Sequence, residues 1–432
     1  MPDLTEFRAS LDGELISPDD ARREMRPRLV VLCRSVSDVV NTIRFASTKG
    51  DRIAARGGGH CFAGRSSTDG IVLDMSGLDG IAVADDGVAL VGAGARLGQL
   101  YAALHAHGRT LPAGCGPTVG IAGLTLGGGI GLLGRRYGLT CDRLVGAQIV
   151  LADGSVVKCD HHLEPELFWA LRGAGGGQFG VVTALRFDTV EEPTTTRIEA
   201  HWPDVAAEQV ATAWQVWAPD APDELTVNLT LAAEPGVPVR ATLTGAATLG
   251  EKATQDLLRQ FTGPAGVAAT VEVRAGLPYH RLKTTFADPR DSTGRAPRIR
   301  SEFFSHAMSV HTLAALLARL REPGTVGRRQ LTFTAMGGAY NRVAPDATAF
   351  AHRRERFLLE HIGGATDPWV DDSWAGAHAD GSGRVYPNFP DPALDDWAAA
   401  YHGDNYPRLV AVKDAYDPYR LFTFPQAISS AP

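Results

Sequence analysis

The chain has 432 residues, of which 44% are hydrophobic and 21% charged, with a formal net charge of −7. That length argues for two or three structural domains with ample core, and the composition is ordinary for a soluble globular protein. The acidic balance argues against nucleic acid as a main partner, and basic pairs such as Arg328-Arg329 and Arg353-Arg354 read as solvated surface because no basic stripe surrounds them.

Residues 1–18 are acidic and lack a long apolar run, which reads as neither a secretory signal nor a transit peptide. No segment is long and apolar enough to span a bilayer. Five cysteines (Cys33, Cys61, Cys115, Cys141, Cys159) have no regular spacing, so a disulfide framework is not expected. A cytoplasmic protein with reduced thiols and no membrane partner is the reading. The run at 29–33, between Pro27 and Arg34, predicts a strand. Ser35-Val36-Ser37-Asp38 then reads as a helix start, with Val39, Val40, Ile43 and Phe45 supplying an apolar face. Strands are predicted at 53–55, at 71–74 before a turn at Ser76-Gly77, and at 88–91. A helix over 97–105 carries Leu97, Leu100, Tyr101 and Leu104, and strands at 144–151 and 181–187 follow. This is mixed α/β with short strands. Residues 193–196, Pro-Thr-Thr-Thr, read as a boundary past which the glycine excess falls. Beyond it, helices are predicted at 205–216, 252–261 and 311–320, and strands at 225–231, 240–244 and 331–335, which suits a second α/β domain with an antiparallel sheet. Helices over 391–400 and 406–415 precede the closing tail at Tyr416-Asp417-Pro418. There is no internal repeat.

The 48 glycines exceed the roughly 7% of average usage, and they cluster before residue 180. The first cluster, Arg56-Gly57-Gly58-Gly59-His60-Cys61-Phe62-Ala63-Gly64, directly follows a predicted strand. Successive glycines expose several N–H groups in one concavity, a nest for pyrophosphate, with His60 beside the cofactor that carries it. The second runs from Gly114-Cys115-Gly116-Pro117-Thr118-Val119-Gly120 through Gly123, Gly127, Gly128 and Gly129 to Gly131. The third is Arg172-Gly173-Ala174-Gly175-Gly176-Gly177-Gln178-Phe179-Gly180-Val181-Val182-Thr183. Gly129-Ile130-Gly131-Leu132-Leu133-Gly134 is a literal GxGxxG, but a nicotinamide site needs a full helix after it, and residues 132–144 have no room for a helix and its return. Gly92-Ala93-Gly94 lacks the acidic residue about 20 positions on that such a site uses. His161 and His162 are adjacent, so their side chains diverge in extended chain, and no metal-ligand spacing is found. No Gly-x-Ser-x-Gly elbow occurs.

These blocks, in this order, resemble the vanillyl-alcohol oxidase superfamily, in particular its berberine-bridge-enzyme-like branch. The C-terminal residues add to the likeness: Tyr386-Pro387-Asn388-Phe389-Pro390-Asp391, then Tyr401-His402-Gly403-Asp404-Asn405-Tyr406-Pro407-Arg408-Leu409, and Phe424-Pro425-Gln426-Ala427-Ile428 at the end. The resemblance implies an α+β, two-domain PCMH-type FAD-binding fold. Residues 1–193 would form the FAD-binding domain, 194–390 an antiparallel-sheet substrate domain, and 391–432 a segment returning to the FAD domain. It implies FAD bonded covalently through His60. Bicovalent members add a cysteine separated from the Val-Gly pair by Pro-Thr; Gly116 stands there in this chain, and Cys115, one residue earlier, is either a second link or a packed residue. The implied cofactor contacts are Arg56, Gly57, Gly58, Gly59, His60 and Gly64; Cys115, Gly116, Thr118, Val119, Gly120, Gly123, Gly127, Gly128, Gly129 and Gly131; Gly180 and Val182; and Asn388, Asn405 and Tyr406, with Asn405 near the isoalloxazine. Tyr386 would be the catalytic base, or else a tyrosine lining the pocket. A phenol has a pKa near 10 and needs a neighbouring charge or hydrogen bond to act near neutrality. Some members carry a carboxylate for this at the position of Thr334. The implied reaction is oxidation of a hydroxyl or amine carbon of a small molecule, of the secondary-metabolite kind, by hydride transfer to flavin N5, with dioxygen as reoxidant. Oxidative cyclisation or desaturation, and a flavin-binding protein without turnover, are the alternatives.

Overall fold

The computed structural model describes residues 4–16, 26–266, 268–286, 297–322 and 327–429. Parts of the acidic opening stretch, residues 1–3 and 17–25, lie outside them. The strands are β1 (Glu14–Ile16), β2 (Leu29–Leu32), β3 (Ile53–Arg56), β4 (Ile71–Asp74), β5 (Ile81–Val83), β6 (Val88–Gly92), β7 (Arg109–Thr110), β8 (Leu144–Val150), β9 (Val156–Cys159), β10 (Val181–Asp188), β11 (Val190–Glu191), β12 (Thr194–Trp202), β13 (Leu225–Glu234), β14 (Val237–Ala247), β15 (Thr270–Pro278), β16 (Arg298–Phe304), β17 (Arg329–Ala335) and β18 (Phe357–Gly363).

Three larger sheets result. The first has the order β1-β2-β4-β3, with β2, β4 and β3 parallel. The helix Val36–Lys49 makes the crossover that parallel strands require. Ser35 caps it through a capping box with Asp38, and Gly50 ends it at φ 69°, so both boundaries follow from the cap residues. The second sheet, β5-β6-β10-β8-β9, is antiparallel. The third has seven antiparallel strands in the order β15-β12-β14-β13-β17-β18-β16. This is the α+β architecture that the resemblance implies, with the antiparallel sheet in the later chain that the residues predict.

One core packs the first two sheets against the helices Val36–Lys49, Leu97–His105 and Pro165–Ala174. It also takes in Tyr279 and Leu282 of the short helix Tyr279–Thr284 and Leu409 and Val412 of the helix Tyr406–Tyr416. A second core lies between the seven-stranded sheet and the helices Ala207–Trp217, Glu251–Ala265, Val310–Leu320 and Trp369–His378. A small third cluster holds Leu139, Cys141, Phe303, Met336, Tyr340, Phe350, Leu358 and Tyr386, drawn from both parts of the chain. Among the described residues, no helix is long and apolar enough to cross a membrane.

Three expectations need correction. Arg353, read as solvated surface, is buried and paired with Asp142. The helix predicted over 391–400 begins only at Trp397 and runs to His402. Pro392 follows Asp391, whose carboxylate pairs with Arg300 and accepts the Ala393 N–H, so this stretch is held in a turn. The stretch at 205–216 opens as a 3-10 turn, Asp204–Ala206, before the helix Ala207–Trp217.

Candidate active site

The first two glycine clusters, about sixty residues apart in sequence, meet backbone to backbone. A Cβ on Gly58 would lie 2.2 Å from the Gly120 nitrogen and 2.7 Å from the Thr118 carbonyl oxygen; a Cβ on Gly120 would lie 2.3 Å from the Gly58 nitrogen. Neither position can carry a side chain while the loops keep this contact. Arg56, at the end of β3, is buried and donates from Nε to the Ser66 carbonyl at 3.3 Å. The loop it launches carries an exposed His60 whose Nε2 lies 2.9 Å from Thr118 Oγ1. The Gly64 N–H meets the Cys61 carbonyl at 3.1 Å. Gly123 is exposed, with nothing within 4 Å of where a Cβ would stand. Gly180 and Val182 sit at the start of β10, Gly180 packed under Ile149 and Val150 and Val182 buried.

The second cluster then turns under Tyr386. The helix Ile121–Leu126 stops at Gly127, where a Cβ would fall 2.2 Å from Asn388 Oδ1. Gly128 and Gly129 follow at φ 117° and 90°, angles that side chains resist. The turn aims the Gly129 and Ile130 N–H groups at the Tyr386 hydroxyl oxygen, at 3.0 and 3.1 Å, and Asn388 Nδ2 approaches the same oxygen at 3.0 Å. Asn388 Nδ2 also donates to the Leu124 carbonyl at 2.9 Å. Rings of Phe389, Phe350 and Phe303 surround the phenol at 5.1, 6.2 and 6.3 Å. Burial pushes the Tyr386 pKa up to about 12, against the downward pull of the three N–H donors.

Residues 27–160 match the family model described as "FAD binding domain", and residues 385–429 that described as "Berberine and berberine like". Along 99% of its length the chain is 32% identical to an uncharacterized FAD-linked oxidoreductase, YgaK, of Bacillus subtilis (strain 168), covering 95% of that protein. This chain belongs to the berberine-bridge-enzyme-like FAD-linked oxidoreductases. It is also 30% identical to a chitooligosaccharide oxidase of Gibberella zeae, over 94% of this chain and 88% of the relative. The solved structure of Physcomitrella patens BBE-like 1 superposes with a TM-score of 0.90 at 25% identity, each chain covered in full.

The residues present fit the cofactor of this family. Glycine backbone at positions 58 and 120 leaves a cradle that any Cβ would fill, and Gly57, Gly58 and Gly59 are half-buried where a dinucleotide's phosphates need close backbone approach. The second cluster is braced by residues that its own sequence does not announce. Lys283, on the helix Tyr279–Thr284, is buried and donates to the Ala113 and Gly114 carbonyls at 2.7 and 2.6 Å, with Cys115 Sγ at 3.4 Å. Cys115 is thus half-buried against an ammonium group, while the Gly116 carbonyl accepts the Val119 N–H at 3.1 Å. Tyr340 Oη donates to the Gly131 carbonyl at 2.8 Å and lies 3.1 Å from its N–H. Thr140 Oγ1 donates to the Gly129 carbonyl at 3.1 Å, and the buried Arg353 pairs with Asp142 at 2.6 Å. Thr140 and Asp142 lie at the end of the second block, whereas Lys283, Tyr340 and Arg353 lie in no motif and only their tertiary placement reveals them.

The C-terminal residues divide. Asn388 joins the Tyr386 site. Asn405 spends its amide on the Pro345 and Thr348 carbonyls, at 2.9 and 3.2 Å, and the Tyr406 hydroxyl donates to the Ser429 carbonyl at 3.0 Å. Those contacts secure the returning segment. Thr334 is buried on β17 opposite Leu358 of β18, so that position offers Tyr386 no carboxylate.

Proposed function

We propose that this enzyme oxidises a hydroxyl or amine carbon of a small molecule, with His60 as the point of FAD attachment and Tyr386 as the group that takes the substrate proton. Bound FAD supplies the electron-accepting chemistry, taking up a hydride equivalent from the substrate carbon and passing the electrons to dioxygen to give hydrogen peroxide. The observation that carries the reading is the convergence of three N–H donors on the Tyr386 oxygen. A neutral phenol oxygen keeps one proton of its own, whereas three donors match the acceptor capacity of a phenolate. The same donors therefore stabilise negative charge as it develops on that oxygen during proton transfer. Substrate would enter between the glycine turn and the seven-stranded sheet, whose β16 and β18 supply Phe303 and Leu358 to the Tyr386 cluster. The FAD-linked scaffold and the full-length likeness to an oxidase support dioxygen as acceptor.

Acid precipitation of the purified protein tests the attachment. Yellow colour retained in the wild-type pellet and lost from His60→Ala is expected. Colour retained in both would move the link to Cys115, and colour wholly in the supernatant would show that the flavin is not covalently held. Tyr386→Phe tests the base: kcat/KM is expected to fall by about 10²–10⁴, the range of one proton-transfer group, with the flavin still bound. An unchanged rate in that variant would leave Tyr386 as pocket wall only.

A further inference from the structure

Far from Tyr386 in sequence and role, two imidazoles and one carboxylate come together where the earlier and later parts of the chain join. His105 ends the helix Leu97–His105, Glu192 follows β11, and His280 lies in the first turn of Tyr279–Thr284, just after β15. One ligand atom from each falls within 4.8 Å of the other two. We propose that His105, Glu192 and His280 form a binding site for one divalent late first-row transition ion, zinc in the first place, which clasps these two helices together.

The geometry is that of a prepared site. Glu192 is held before any ion arrives: its side chain is 8% exposed, and Oε1 accepts the His280 backbone N–H at 2.8 Å. Both rings turn the same atom to it, His105 Nδ1 at 2.6 Å from Oε2 and His280 Nδ1 at 3.1 Å from Oε1. The rings stack at 3.5 Å between centroids, 27° from parallel. A ligating imidazole points its lone pair at the ion in the plane of its own ring, so the exposed His105 ring has to swing out of this stack to share an ion with His280. That movement opens room for the ion and leaves a fourth position to water. Two imidazoles with one carboxylate suit zinc, nickel or copper, whereas magnesium and calcium ask for more oxygen ligands. The carbonyl end of the helix that carries His105 also favours a cation. On binding, each ring presents the Nδ1 lone pair, and its Nδ1 proton moves to Nε2 or leaves to solvent. Three residues beyond His280, Lys283 holds the Ala113 and Gly114 carbonyls, so an ion here also stiffens the support of the cofactor loop.

Untagged, flavin-loaded protein stripped with a chelator would be titrated with zinc chloride by calorimetry, and its melting temperature followed with and without zinc. One zinc per chain and a melting temperature that rises with zinc are expected, with magnesium without effect. His105→Gln, an exposed position that leaves the core untouched, and Glu192→Gln should each weaken zinc binding at least tenfold and abolish the thermal shift. In the wild type, cobalt should give the visible absorption of a tetrahedral nitrogen–oxygen site. Absence of stoichiometric binding, equal binding by wild type and both variants, or an equal thermal effect of magnesium would overturn the proposal.

Discussion

The Tyr386 hydroxyl is under two opposed influences. Burial drives its pKa up to about 12, and three N–H donors draw it down. A phenol in that state is protonated at neutral pH, so a base role makes kcat/KM rise with pH, about tenfold per unit, until other groups intervene. Asn388→Leu removes one of the donors and should displace that rising limb to higher pH, lowering the rate at neutrality while Tyr386 stays in place. A pH profile of the variant that overlays the wild type would show that Tyr386 does not limit the reaction. Gly58 makes a sharper case. Its missing Cβ would stand 2.2 Å from a backbone nitrogen, which no rotamer change relieves. Gly58→Ala should therefore separate the two loops, cost about 1–3 kcal/mol by overpacking and release the flavin. Urea unfolding and flavin content check both effects. Positions such as these were legible in the sequence because only glycine permits the approach they make. Lys283 and Tyr340 were not, because a lone lysine or tyrosine carries no local signal of what it reaches across the fold; Arg353, read with Arg354 as solvated surface, is instead buried against Asp142, a partner too distant in sequence to be seen there.

Elements with a regular apolar period were legible, and those without were not. The helix Leu97–His105 follows the spacing of Leu97, Leu100, Tyr101 and Leu104, all of which are buried. The strand β15, TVEVRAGLP, is an edge of the seven-stranded sheet whose alternating Val273, Ala275 and Leu277 are only half-buried, with Gly276 and Pro278 breaking the run, so its core face is weakly marked. The strand β16, RIRSEFF, buries Ser301 and Glu302 with its two phenylalanines, which disguises it as polar chain. The six-residue helix Tyr279–Thr284 was equally invisible, although it inserts Tyr279, Leu282 and Lys283 into the cofactor side of the molecule. Its anchoring value can be measured. Lys283→Met keeps the length of the side chain but removes the ammonium donor from the Ala113 and Gly114 carbonyls, of which Gly114 keeps the Tyr101 hydroxyl at 2.9 Å. A buried acceptor left unsatisfied costs about 1–3 kcal/mol, so the variant should melt several degrees lower and lose flavin more readily than it loses the fold. A melting temperature equal to that of the wild type would make the helix a passive filler.

For the molecule as a whole, acid stability is set by histidines that the fold keeps neutral. His352, His361 and His402 are buried, and burial pushes each pKa down to about 3. Each ring has one polar contact or none: His352 Nε2 is 3.0 Å from the Tyr401 carbonyl, and His361 Nδ1 is 2.8 Å from Ser373 Oγ. In the unfolded chain the same rings titrate near 6.5. Between about pH 6.5 and 3 the unfolded state therefore binds protons that the native state does not, and stability falls as pH falls through that window. Each ring contributes a slope of about 1.4 kcal/mol per pH unit. Glu355 has the opposite sign. Burial raises its carboxyl to about 7 from an ordinary 4.5, so the native state holds a proton that the unfolded state releases, and this group favours the fold as pH falls from 7 to 4.5. Over that interval Glu355 offsets one histidine of the three; below it the histidines act unopposed. Chemical unfolding at a series of pH values should show a stability plateau near neutrality, a moderate decline to about pH 4.5 and a steeper one beyond. His361→Gln, which removes one titrating ring away from the cofactor loops, should flatten the decline by about 1.4 kcal/mol per pH unit. Stability that stays level from pH 7 to 5 in the wild type would show that these rings take up protons within the fold, through an opening of the surrounding core that the packing of Phe303, Phe350 and Tyr386 argues against.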